Sequence, residues 1–198
     1  IGGWEKYSEN SFLGVCRSIH DWSSLSGDRY LGLGTHLKLY VAQGADFNDV
    51  TPVRATTSVT FAATDGSSEI TATDADHGAV PNDFVTFSGV DSDGLGVGGN
   101  ITEAVLEQEY QIAKVPSTST FTFIAKDTSG ATVTANSSDS GNGGGSSVGA
   151  YQINTGLNTY VDAPGWGSGF WGSGSFGVPV TPLTSGYQLR LYSLDNFG

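Results

Sequence analysis

The chain has 198 residues, with 20 acidic against 8 basic side chains, a formal net charge of -12 and one cysteine. The length suits one domain or two small ones. The acidic balance argues against a surface that wraps nucleic acid or settles on anionic lipid, and a single cysteine excludes an intrachain disulfide framework.

Only 14% of residues are charged and 29 are glycine, while 4 Trp, 8 Tyr and 10 Phe can supply a core. That is the composition of an all-β protein with many turns, not of a disordered chain. No apolar run approaches the roughly 20 residues that span a bilayer. The opening IGGWEKYSEN is polar and Gly-rich and does not read as a signal peptide.

The first strand expected is FLGVCRSIHDW, Phe12 to Trp22, ended by the turn signal Ser26-Gly27-Asp28. RYLGLGT (Arg29 to Thr35) and KLYVAQG (Lys38 to Gly44) follow, separated by His36-Leu37 at hairpin length. Leu31 and Leu33 alternate with Gly32 and Gly34, and Leu39 and Val41 with Tyr40 and Ala42, so one set faces a core. DFNDVTPV is a further extended stretch, ending at Pro52. Beyond residue 55, glycine thins out within the strands. VTFAA, SEITATD, DFVTFSG, EYQIAKV and STFTFIA read as short strands between turn-rich stretches, the pattern of a small barrel or sandwich. NITEAVLEQE predicts one or two helical turns, with Asn100 as N-cap.

The run NSSDSGNGGGSSVG (136–149) has the composition of a flexible Gly/Ser linker. After it YQINTGLNTY is extended, APGWGSGFWGSGSFGVP alternates aromatic residues with Gly and Ser, and GYQLRLYSLDNFG reads as a strand. A strand needs a neighbour, so this ending reads as that of a truncated fragment. The organisation expected is 1–55 as scaffold strands, 56–140 as an inserted β-barrel or sandwich domain, 141–149 as linker, and 150–198 as the scaffold resumed.

Read in order, G-W-E-K-Y, the Trp that ends the first strand, D-R-Y-L-G-L-G-T and K-L-Y-V resemble tail structural proteins of short-tailed phages, of the nozzle or tail-tubular kind. YQINTG, G-W-G-S-G-F-W-G-S-G and S-L-D-N-F-G are similar to the same family, and the inserted stretch resembles a small β-domain recurrent in phage virion proteins. The resemblance implies a partial β-propeller, with RYLGLGT and KLYVAQG as paired blade strands and the rest of the propeller in a further C-terminal part. It implies copies of the chain in a ring, contacts with other tail proteins (adaptor, tail fibres or spikes), and DNA passing through without specific binding. A carboxylate-rich conduit would repel phosphates and so not adhere to them.

Candidate chemistry is sparse. His20, His36 and His77 fall in a strand and two turns with no ligand partner nearby in sequence, and read as structural or exposed. Cys16 sits within an apolar strand and reads as a packed small hydrophobe. No G-x-S-x-G elbow, P-loop or H-E-x-x-H occurs, and GLGVGG (94–99) lacks the strand–turn–helix context of a dinucleotide loop. Asp91-Ser92-Asp93-Gly94 resembles the opening of a calcium loop, but Thr102 stands where the bidentate acid belongs. The stretch therefore reads first as a solvated acidic turn, with calcium on Asp91 and Asp93 the alternative and no other cofactor expected. Trp166, Phe170, Trp171 and Phe176 could stack on a sugar or a partner, against packing into a neighbouring blade or subunit.

The function expected is that of a non-enzymatic virion protein of the tail conduit, serving DNA retention and ejection. A host-surface module recognising a glycan or a protein is the alternative. A glycan hydrolase would need paired carboxylates, which nothing in the sequence pairs.

Overall fold

The computed structural model describes residues 3, 6–90, 100–143 and 146–153, together with the backbone of 159–161 and 185–187. The chain divides into two compact units, Ile1–Asp49 with Thr155–Gly198, and Val50–Asn154.

Alternation in the first unit resolves into a meander. Strands β1 (Cys16–Ser23), β2 (Arg29–Thr35), β3 (Leu39–Gln43) and β4 (Asp46–Asp49) form a four-stranded antiparallel sheet in the order β1-β2-β3-β4. Ser24-Leu25-Ser26-Gly27-Asp28 makes the first turn. Gly27 has φ +90°, a left-handed conformation open to glycine, and the Ser26 hydroxyl donates to Asp28 at 2.6 Å. The register sets Leu33 opposite Tyr40 and Leu31 opposite Ala42. One face thus carries the cluster Leu33, Tyr40 and Ala42, with Phe12, Leu31 and Phe47 packed against it. Cys16, expected inside its strand, is instead exposed. It lies on an edge strand, at the point where the register to β2 slips between Cys16 and Ser18. Backbone of the same unit forms a second ladder, β14 (Thr159–Val161) with β15 (Ser185–Tyr187).

The second unit is a sandwich. After β5 (Val53–Thr57) come β6 (Thr60–Ala63), β7 (Glu69–Thr73), β8 (Phe84–Ser88), the single-turn helix α1 (Glu103–Leu106), β9 (Glu109–Gln111), β10 (Lys114–Ser117), β11 (Thr120–Ile124), β12 (Asp139–Asn142) and β13 (Val148–Gln152). They form two antiparallel sheets, β10-β11-β7-β6-β12 and β5-β13-β8-β9. Period-two strands turn one row of side chains from each sheet inward. Phe61 of β6 meets Phe87 of β8 edge-on at 4.9 Å, and Tyr110 of β9 meets Phe123 of β11 at 4.4 Å. Ile70, Val85, Ile101, Leu106, Ile112 and Phe121 complete a continuous core.

Three expectations are corrected. EYQIAKV is not one strand: β9 pairs with β8 in one sheet and β10 with β11 in the other. The chain crosses between the sheets at Ile112–Ala113, whose amides bond Asp83 O and Thr122 O. The helical turn is capped by Thr102, whose hydroxyl accepts from the Val105 amide, and not by Asn100. Asn100 instead donates its side-chain amide to Thr134 O at 2.8 Å. Finally, the supposed linker 141–149 holds the end of β12 and the start of β13, and β13 lies between β5 and β8. Residues 150–152 are therefore sandwich strand, supplied with ladder hydrogen bonds on both edges.

Gly149 shows how tightly that strand is fitted. A Cβ there would lie 2.8 Å from Cε2 of the buried Tyr151 ring. Gly149→Ala is expected to destabilise the unit by about 1–3 kcal/mol through overpacking. A urea titration reads this directly, and an unchanged midpoint would mean that the ring moves aside freely.

Candidate functional site

Of the residues singled out in the sequence, Asp91, Asp93, Trp166, Phe170, Trp171 and Phe176 lie outside the described residues. Among the described residues, no group of three or more His, Cys, Asp and Glu side chains could hold a metal ion. No described helix is long and apolar enough to cross a membrane.

The histidines go to three different places. His20 stacks on Trp22 at 6.1 Å, and Trp22 in turn stacks on Tyr30 at 5.6 Å, forming a row of near-parallel rings on β1 and β2. The Nε2 atom of His20 is buried without a hydrogen-bond partner. His36 accepts the Val15 amide on Nδ1 at 2.9 Å and so pins the segment leading into β1. His77 is buried in the sandwich, edge-on to Phe121 at 5.0 Å. Its Nδ1 accepts the Ala79 amide at 3.2 Å, which assigns the ring hydrogen to Nε2, set 3.3 Å from Ser117 O.

The polar cluster around His77 was not foreseen. Asp74, at the end of β7, is 5% exposed and takes hydrogen bonds from two hydroxyls of the other sheet, Tyr151 on β13 at 2.7 Å and Thr56 on β5. Register places Arg54 opposite Tyr151, and its guanidinium lies 5.6 Å from the centre of the Tyr151 ring while donating to His77 O. Burial first, and then the Asp74 carboxylate, hold the Tyr151 hydroxyl protonated far above the ordinary phenol range. Tyr110, also pushed upward by burial, bridges Val105 O and Lys126 O.

These partners come from β5, β7 and β13, segments up to 77 residues apart. Nothing local in the sequence signals such a pairing. Chemically the cluster is a tie between sheets: the carboxylate accepts two hydroxyls and the histidine has both ring nitrogens engaged. On the surface, Lys114 bridges both Glu69 oxygens at 2.8 and 3.0 Å and holds that carboxyl below its ordinary value.

The first unit offers sheet faces in place of a polar centre. The face opposite Leu33, Tyr40 and Ala42 is mixed, with Ser18, His20, Gln43 and Asn48 beside apolar side chains. The pairings Trp22 with Tyr30, Gly32 with Val41 and Gly34 with Leu39 put large rings and aliphatic chains there.

No family model matches the chain, and no curated protein matches it. Among solved structures it is similar to the Phage phi92 endosialidase, at 18% identity and a TM-score of 0.35 over 69% of this chain. The chain spans 17% of the length of that protein.

Proposed function

We propose that the chain is a non-enzymatic structural component of a phage tail, part of the nozzle through which DNA is retained and then released. The observation that carries this reading is the four-stranded up-and-down sheet β1–β4 with apolar side chains on both faces. A propeller blade has that form, because each blade is sandwiched between two others. Of the motifs that resemble tail-tubular proteins, D-R-Y-L-G-L-G-T and K-L-Y-V fall in this sheet, and the net charge of -12 suits a wall that DNA must slide past. The sandwich of 50–154, with its own closed core, is the appended domain.

Purified virions supply the test. Peptides of this chain should appear in their mass spectra, and gold-labelled antibodies should mark the distal tail in a ring. Absence from the particles would refute the proposal. Antibodies against the 50–154 unit that block adsorption would favour the rival reading, recognition of a host glycan or protein.

A further inference from the structure

Strand β1 is, at eight residues, the longest among the described residues and lies at the edge of its sheet. Among the described residues no strand pairs with its outer side. Ile19 on this strand is 61% exposed, with Arg17 and Asp21 exposed two residues to either side. A long edge with an exposed aliphatic side chain is a template for pairing with another strand, and proteins generally blunt such edges.

We propose that β1 pairs antiparallel with β1 of a second copy of this chain, about a two-fold axis perpendicular to the sheet at Ile19. Opposed residues of an antiparallel pair point to the same side. A two-fold of this kind therefore allows only registers in which odd positions meet odd and even meet even. One of these sets Ile19 against Ile19 and brings Arg17, which lies in the register slip to β2, beside Asp21 of the other copy. Shifting it two residues one way opposes Asp21 to Ile19, and two residues the other way opposes Arg17 to Ile19. Further shifts bring Asp21 against Asp21 or Arg17 against Arg17. The strand thus carries its own selection of register: two opposite-charge pairs flank a buried apolar pair, whereas the nearest alternatives set a charge against Ile19 and the next ones set like charges against each other.

Such a contact is isologous and closes as a dimer. It is distinct from the head-to-tail contacts of a ring and independent of the tail assignment. It would cap the edge of β1 in the free protein.

Light scattering on the full chain should show a concentration-dependent dimer. Arg17→Asp replaces both attractions with repulsions and should weaken the dimer about tenfold or more. Adding Asp21→Arg to that variant should restore it. In a Cys16→Ser background, Ile19→Cys should give a disulfide-linked dimer under mild oxidation, because residues opposed across an antiparallel pair sit about 4.5–5.5 Å apart at Cα. A monomeric wild type, a double charge swap that does not restore association, or no cross-link at Ile19→Cys would each overturn the proposal.

Discussion

Replacing Phe87 by alanine is expected to cost the sandwich about 3–5 kcal/mol of unfolding free energy. Phe87 is 1% exposed and touches rings from both sheets: Phe61 at 4.9 Å, Phe123 at 5.3 Å, Phe121 at 6.2 Å and Tyr110 at 6.3 Å. Removing the ring loses its transfer free energy and leaves a cavity whose walls are other rings, fixed on β6, β9 and β11. The surroundings therefore collapse poorly, which puts the cost in the upper part of the range for large-to-small changes. Urea unfolding followed by tyrosine fluorescence and circular dichroism measures it, since the sandwich holds Tyr110 and Tyr151 and no tryptophan. A loss below about 1 kcal/mol would mean that the two sheets are not packed on each other through this residue.

Tyr151→Phe should have the second largest effect, with a pH signature of its own. Near neutral pH it removes a hydrogen bond to a buried carboxylate and should cost about 1–3 kcal/mol. Above the ordinary phenol value of 10.0 the wild type should lose stability steeply. There the unfolded tyrosine ionises while the folded one keeps its proton, so the unfolded state binds fewer protons and stability falls as pH rises. One such group contributes a slope of about 1.4 kcal/mol per pH unit. The variant should lose the Tyr151 share of that slope and keep the part due to Tyr110, which is also raised by burial. Urea midpoints at neutral pH and about one unit above the phenol value separate the cases. An identical alkaline slope in wild type and Tyr151→Phe would show that the hydroxyl is not sequestered against Asp74.

Much of the fold is legible in local patterns. The alternation in RYLGLGT and KLYVAQG, the Gly27 turn and the Thr/Phe-rich runs each state their conformation within a few residues, and they form strands and a turn accordingly. What these patterns cannot state is which strand lies beside which. GGGSSVG looks flexible because composition records only the chain's own entropy. Residues 148–152 are ordered because β5 and β8, distant in sequence, supply ladder partners on both sides. The short helix was visible but its cap was not, because Asn100 is engaged by a segment far along the chain: its amide donates to Thr134 O and its Oδ1 accepts from Asn136.

Side-chain chemistry follows the same division. Asp74, Thr56 and Tyr151 are unremarkable where they stand in the sequence and become a buried tie once two sheets face each other. Cys16 looked interior because its neighbours are apolar, and it is exposed because β1 ends the sheet. Alone, then, the order of residues determined the all-β class, most strand positions and the acidic surface charge, since these depend on period, turn chemistry and a count of charges. Only the tertiary structure decided the two-sheet partition, the crossing at Ile112–Ala113 and the Asp74 tie. Each of these depends on contacts between residues far apart along the chain, whose loop-closure entropy and burial are settled only when the whole unit packs.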